Sequence, residues 1–194
     1  MFLENLITKK IILASNSPRR KQLLEEIGLK FEVKTKPGID ENFPEHLSPE
    51  QIAVYLAEHK ASEFEDEIDE NTIIITADTI VVFENQILNK PLDFEDAQRM
   101  LGMLSGQKHS VITGVCLKTK QNQTSFFSKT EVYFKKLEKS ETDYYIYKFK
   151  PYDKAGAYGI QEWIGFTGIE RIEGSYFNVV GLPTDKVYEY LKKM

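Results

Sequence analysis

The sequence has a single cysteine, Cys116, in 194 residues. No disulfide can close within the chain, so its fold must rest on its core. Cys116 lies in an apolar strand pattern, which is a packing position for a thiol. No Lys/Arg-rich run occurs, and 25 basic against 30 acidic residues leave a net charge of −5. That balance argues against nucleic acid as the main partner, because a phosphate backbone needs a basic footprint. It leaves open a small anionic ligand, which needs only a local cluster of donors. No apolar run is long enough to span a bilayer, and the N-terminus lacks the apolar stretch of a signal peptide. The expectation is therefore a cytoplasmic protein with no membrane partner. His46, His59 and His109 show no metal-ligand spacing and read as structural, with only His59 near an apolar helix face. There is no P-loop and no Gly-x-Gly-x-x-Gly after a strand. Gly165-Phe166-Thr167-Gly168 is too loose a pattern to count. Internal repeats and low-complexity tracts are also missing.

What is present is an ordinary globular composition, enough for a full core in one domain spanning 1–194. Ile11-Ile12-Leu13 reads as a strand. Ser17 as N-cap and Pro18 at the first helical position start a helix carrying Arg20, Leu23, Leu24 and Ile27. Residues 31–35 alternate as a strand, and Pro37-Gly38 breaks it. Ser48-Pro49-Glu50-Gln51 is a capping box that opens a helix running to about Glu63. The acidic patch from Glu63 to Glu70 reads as an exposed helix end and loop. Residues 72–83 are β-branched nearly throughout, as expected of a central strand covered on both faces. Ile87-Leu88 returns as a hairpin strand, and Phe94 to Leu104 form a helix closed near Gly106. Residues 109–118 and 125–137 read as two long strands. Ser140 is expected to cap a helix stopped by Pro151, two short strands are expected around Gly174, and Thr184 is expected to cap a last helix. Strands with irregularly interspersed helices give an α/β fold class with a mixed sheet.

Two features carry chemistry. In Ser15-Asn16-Ser17-Pro18-Arg19-Arg20 a hydroxyl-rich turn leads into a helix with two arginines in its first turn, where the dipole disfavours cations. Arg20 also falls on the helix's apolar face. An anion docked on the helix start, Ser15, Ser17 and the guanidiniums accounts for this, and a capped helix with two surface arginines is the plainer alternative. Asp78 lies within the most apolar strand. A carboxylate there must be ion-paired, metal-bound, neutral or exposed at a bulge. Thr79 is adjacent but points to the opposite face of a regular strand. Glu41, Lys60, Lys90, Lys154 and Gln161 would each pass alone as surface or turn residues. Together the residues point to phosphate-ester or anhydride chemistry.

Taken in order, Ser15-Asn16-Ser17-Pro18-Arg19-Arg20, Ala77-Asp78-Thr79-Ile80-Val81, Asn89-Lys90-Pro91, Leu104-Ser105-Gly106, Thr113-Gly114-Val115, the block from Asp153 to Gln161 and Gly174-Ser175-Tyr176-Phe177-Asn178-Val179-Val180-Gly181-Leu182-Pro183 resemble the Maf proteins. The resemblance runs from about Ile11 to the C-terminus. It implies a mixed twisted sheet with flanking helices and two lobes around a central cleft, akin to the inosine triphosphate pyrophosphatases. It further implies hydrolysis of nucleoside triphosphates between the α and β phosphates with a divalent cation, Mg²⁺ or Mn²⁺. Asp78 matches the family's proton acceptor, and Glu41 matches an acidic position that, with Asp78, would hold metal or water. Lys60 and Lys90 match positions associated with the phosphates, joined by Ser15, Ser17, Arg20 and Lys154. Arg19, Thr79 and Gln161 match the subgroup preferring thymidine and uridine triphosphates. A homodimer fits the family. Two further possibilities are a nucleotide-binding regulator of division with little turnover and a pyrophosphatase for a modified purine such as 7-methyl-guanosine triphosphate. Lys150, where an acidic residue is common, and Thr184, where an apolar one is frequent, depart from the family pattern.

Overall fold

The computed structural model describes residues 3–194. Its strands form one mixed seven-stranded sheet in the order β2 (Glu32–Val33), β1 (Lys10–Leu13), β3 (Thr72–Phe83), β5 (Lys108–Lys118), β6 (Gln123–Phe134) and β7 (Ile169–Glu173), with β4 (Gln86–Leu88) paired to β3. In chain order the elements are β1 Lys10–Leu13, α1 Pro18–Glu26, β2 Glu32–Val33, α2 Pro49–Ser62, β3 Thr72–Phe83, β4 Gln86–Leu88, α3 Phe94–Leu104, β5 Lys108–Lys118 and β6 Gln123–Phe134. They continue with α4 Lys139–Phe149, α5 Trp163–Gly168, β7 Ile169–Glu173, α6 Tyr176–Val180 and α7 Thr184–Leu191. β1 pairs in parallel with β2 and β3, and the β3–β4 and β6–β7 pairs are antiparallel. None of the helices among the described residues is long and apolar enough to cross a membrane. The chain divides into two compact units, and β3, β5 and β6 each begin in one and end in the other.

The first unit holds residues up to Asp78, Thr113–Ser128 and Gly181–Met194. Its central parallel strands β1 and β3 are apolar on both faces, as sequence patterning requires of strands covered on both sides: Ile12, Leu13, Ile73, Ile74 and Ile75 are fully buried. α2 is capped as expected, with Ser48 and Gln51 bonding reciprocally. It lays Ala53, Ala57 and Ala61, spaced four apart, into the interior, where the last two pack with Cys116. Small residues on that stripe let the helix backbone approach the strands closely. Gly114 on β5 completes the approach, since a Cβ there would lie 2.1 Å from the Ala53 carbonyl oxygen.

The second unit holds Thr79–Ile112 and Lys129–Val180. A single core joins α3 (Ala97, Met100, Leu101, Leu104) to strand residues such as Val81, Val111 and Val132 and to Tyr145 and Ile146 of α4. Four local expectations are corrected. α4 begins two residues earlier than a Ser140 cap would allow, because Glu138 and Glu141 form the capping box. No strand follows Gly174; residues 176–180 are helical although their aromatic and β-branched composition suits a strand. There Ser175 Oγ accepts the Asn178 N–H, and the buried Asn178 amide donates to Val111 O and Thr130 Oγ1 at 3.0 Å. Tertiary bonds thus override local propensity. Thr184 is the first helical residue of α7 rather than its cap. Finally, the expected strand at 31–35 shrinks to Glu32–Val33.

His109 is 2% exposed. Its Nε2 lies 2.8 Å from the Tyr158 hydroxyl, and its ring meets Phe134 and Tyr158 edge-on. Burial pushes the imidazole down from 6.5 to about 3. The unfolded chain therefore binds a proton that the folded chain refuses between these values. The associated stability is full above pH 6.5 and falls as pH drops toward 3, by up to about 1.4 kcal/mol per pH unit. Melting temperatures measured from pH 7 to 4 are expected to fall more steeply for wild type than for His109→Gln. Parallel slopes would show that His109 does not titrate on unfolding.

Candidate active site

Within the first unit the turn after β1 is built from short-range bonds. Ser17 caps α1, its Oγ accepting the Arg20 N–H, while the Ser17 N–H donates to Ser15 Oγ. The Arg20 side chain folds back over this turn. Its Nη1 donates to Ser15 Oγ at 3.3 Å and its Nε to the Gly181 carbonyl at 2.9 Å. Burial lowers the Arg20 pKa, and the negative charges of Asp78 and Glu41 pull it back up. An arginine with so high a starting value stays charged through neutral pH. Ser15, Ser17 and Arg20 thus converge as the sequence pattern requires, and Arg20 is half-buried on the helix face that also carries Leu23 and Leu24.

The acidic side of the same unit follows from the register between α2 and β3. Thr76 Oγ1 donates to the Ala57 carbonyl at 2.6 Å. Asp78 lies two residues beyond Thr76 on the same face of the strand, and Lys60 lies three beyond Ala57 on the same side of the helix. One buried hydrogen bond therefore brings the lysine to the aspartate. Lys60 Nζ donates to Asp78 Oδ1 and, at 2.8 Å, to Glu41 Oε1. The Lys60 and Asp78 side chains are 16% and 13% exposed, whereas Glu41 is half exposed. Of the alternatives for Asp78, the structure holds the ion pair, inside a continuous strand.

Two carboxylate oxygens gathered on one positive charge form a hard donor set, which suits Mg²⁺ or Mn²⁺. No group of three or more His, Cys, Asp or Glu that could bind a metal occurs among the described residues. Asp78 and Glu41 are the two carboxylates here that could contribute to such a site. A site of this kind is normally completed by water and substrate phosphates.

In the second unit the block from Asp153 to Gln161 forms a tight turn. Gly156 has φ +66°, and a Cβ there would lie 2.9 Å from a Val81 methyl. Its N–H donates to Asn89 O, tying this turn to the Asn89-Lys90-Pro91 turn. Lys90 is exposed. Lys154 is buried, with Nζ 2.7 Å from Asp153 Oδ1 and 3.1 Å from Glu162 Oε1. Gln161 is half-buried, and its Oε1 is wholly buried without a hydrogen-bond partner among the described residues. An orphaned acceptor of this kind costs about 1–3 kcal/mol. Arg19 and Thr79 are each half-buried, in the first turn of α1 and on β3. Glu162 and Tyr145, which reach Lys154 and the Gly159 backbone, escaped the sequence reading. Tyr145 is one of three tyrosines in a four-residue window, and no local pattern sets it apart.

A family model described as Maf-like protein matches residues 10–194. A dTTP/UTP pyrophosphatase of Phocaeicola vulgatus is 55% identical over 192 residues, covering 99% of this chain and 100% of that protein. Proteins of the same name from Bacteroides fragilis and Flavobacterium johnsoniae are each 50% identical. The first alignment covers 99% of this chain and 100% of the relative, the second 98% of each.

Proposed function

The chain belongs to the Maf-like proteins, and from that premise we propose that it hydrolyses nucleoside triphosphates, preferring dTTP and UTP. The cut falls between the α and β phosphates and releases a nucleoside monophosphate and pyrophosphate. The observation that carries this reading is the convergence of Asp78, Glu41 and Lys60 in the unit that also holds the Ser15-Ser17-Arg20 turn. Its relatives' names point the same way.

Asp78 accepts a proton from the attacking water, and Lys60 orients that carboxylate. The water oxygen then attacks the α phosphorus as the bond to the bridging oxygen breaks and pyrophosphate departs. Arg20, with the hydroxyls of Ser15 and Ser17, binds phosphate oxygens as charge builds on them. The Lys60 ammonium, held beside Asp78 and Glu41, adds its positive charge to the same end. Asp78 and Glu41 would hold the divalent cation, which supplies charge neutralisation on the phosphates and lowers the pKa of water. Lys90 and Lys154 are assigned to phosphate, and Arg19, Thr79 and Gln161 to base choice. The orphaned Oε1 of Gln161 supports that last role, because the imide N–H of uracil and thymine is a donor that would satisfy it. We place this work in the cytoplasm, where a lone buried thiol such as Cys116 stays reduced.

The test is a panel of dTTP, UTP, CTP and 7-methyl-guanosine triphosphate with Mg²⁺ and with Mn²⁺, detecting pyrophosphate and orthophosphate separately. Pyrophosphate from dTTP and UTP, at higher kcat/KM than from the others, is expected. Orthophosphate alone would overturn α–β cleavage, tight binding without turnover would favour a regulator, and preference for the methylated purine would overturn the base assignment.

A further inference from the structure

Lys154 and Gln161, assigned to phosphate and base contacts, sit in the Asp153-to-Gln161 loop of the second unit, and loops need support from behind to hold a side chain in place. That support comes from α4. Tyr145 is fully buried and its hydroxyl does two things at once. It donates to Glu162 Oε2 and accepts the Gly159 N–H at 3.0 Å. The other oxygen of Glu162, Oε1, lies 3.1 Å from Lys154 Nζ. One carboxylate therefore joins the helix to the lysine, and the same tyrosine fixes the backbone two residues before Gln161.

Gly159 makes the arrangement compact. A Cβ at this position would lie 3.0 Å from Gln161 Nε2 and 3.0 Å from Glu162 Cδ. Both side chains fold back against the loop in the space its missing side chain leaves. The Gln161 amide packed there has a buried Oε1 that no group of the described residues satisfies. Burial, then the bond to Glu162, raise the Tyr145 phenol well above its ordinary range, so it remains a donor at every working pH.

We propose that Glu162, anchored by Tyr145, is a positioning residue: it fixes Lys154 and aims the Gln161 amide at the substrate base. This rests on the reading that Gln161 contacts the base. Glu162 touches no reacting atom; it acts through Gln161 and Lys154. The base recognised is an imide pyrimidine. Uracil and thymine present a ring N–H to an amide oxygen, whereas cytosine presents an acceptor at that ring position, so the ratio of UTP to CTP turnover reports the aim of Gln161.

The experiment measures kcat and KM for UTP and CTP on the full chain with Mg²⁺, for wild type, Gln161→Ala, Glu162→Ala, Glu162→Gln and Tyr145→Phe. Each ratio is taken on one preparation, so the fraction of folded protein cancels. Glu162→Ala and Tyr145→Phe are expected to raise KM for UTP about tenfold, to leave kcat within about twofold, and to lower the UTP/CTP ratio of kcat/KM about tenfold, as for loss of one hydrogen bond. Glu162→Gln keeps an acceptor for Tyr145 and is expected to retain the ratio to within about twofold. A Gln161→Ala protein with a lowered ratio, beside Glu162→Ala and Tyr145→Phe proteins with the wild-type ratio, would overturn the positioning role alone. An unchanged ratio in Gln161→Ala would overturn the base contact itself, and with it the reason to position Gln161.

Discussion

Asp78→Asn is expected to lower the rate of pyrophosphate release from dTTP by about 10³-fold, the range in which loss of a general base falls. Asparagine keeps the size and the polar contact to Lys60 but cannot take a proton from water at neutral pH. The ammonium of Lys60 does not become an isolated charge, because Glu41 Oε1 remains 2.8 Å away. The variant should therefore fold, with a melting temperature lowered by only a few degrees, and should still bind nucleotide through Ser15, Ser17 and Arg20. Single-turnover measurement with saturating nucleotide separates chemistry from binding. Near-wild-type turnover in Asp78→Asn would remove the residue from the catalytic step. A loss rescued by raising Mn²⁺ alone would move its main role from proton acceptor to metal ligand.

Gly114→Ala is expected to be the most destabilising single methyl in the first unit. The added carbon would stand 2.1 Å from the Ala53 oxygen, 2.2 Å from the Ala53 carbonyl carbon and 2.5 Å from the Val54 nitrogen. All three are backbone atoms of α2, so no side-chain rotation relieves the clash. The helix must move off β5, and the alanine stripe that packs beneath it must open. Overpacking of a core costs about 1–3 kcal/mol where side chains can yield, and more is expected where only a helix can. Urea midpoints should show a loss above about 3 kcal/mol, or no folded protein. Gly102→Ala supplies the contrast. Gly102 lies inside α3 with nothing within 4 Å of an added Cβ, and alanine there is expected to stabilise by about 0.5–1 kcal/mol. Equal midpoints for the two variants would refute the close approach at Gly114. Because α2 also delivers Lys60 to Asp78, any Gly114→Ala protein that folds should lose activity as well.

These cases show what the sequence could and could not convey. Ser17-Pro18 and Ser48-Pro49-Glu50-Gln51 announce helix starts because capping is local, settled by bonds within three residues. The β-branched run at 72–83 announces a covered strand for a similar reason. Residues 176–180 mislead because bonds from Asn178 to Val111 and Thr130, 67 and 48 residues away, decide their conformation. Ser140 misleads because Glu138 and Glu141 supply the competing capping box. The site divides in the same way. The Ser15-to-Arg20 turn is legible from composition and dipole. Lys60 is not, because a lysine at a helix end suits the dipole with no further role. Only the Thr76–Ala57 register shows where its charge goes. The block from Asp153 to Gln161 is legible by family resemblance, whereas Tyr145 reaches it from another helix.

The bond from Arg20 Nε to the Gly181 carbonyl spans 161 residues of chain. Asn5 likewise donates to the Leu191 carbonyl across 186 residues. A ribosome delivers the first hydroxyls and guanidiniums of the turn long before it delivers their last acceptor. While the chain is being made, Arg20 has its partner in Ser15 but not the one that fixes its far side. The order of synthesis thus leaves the turn after β1 unfinished until residues near 181 emerge, and a nascent chain carries the charges of this turn without the geometry that holds them.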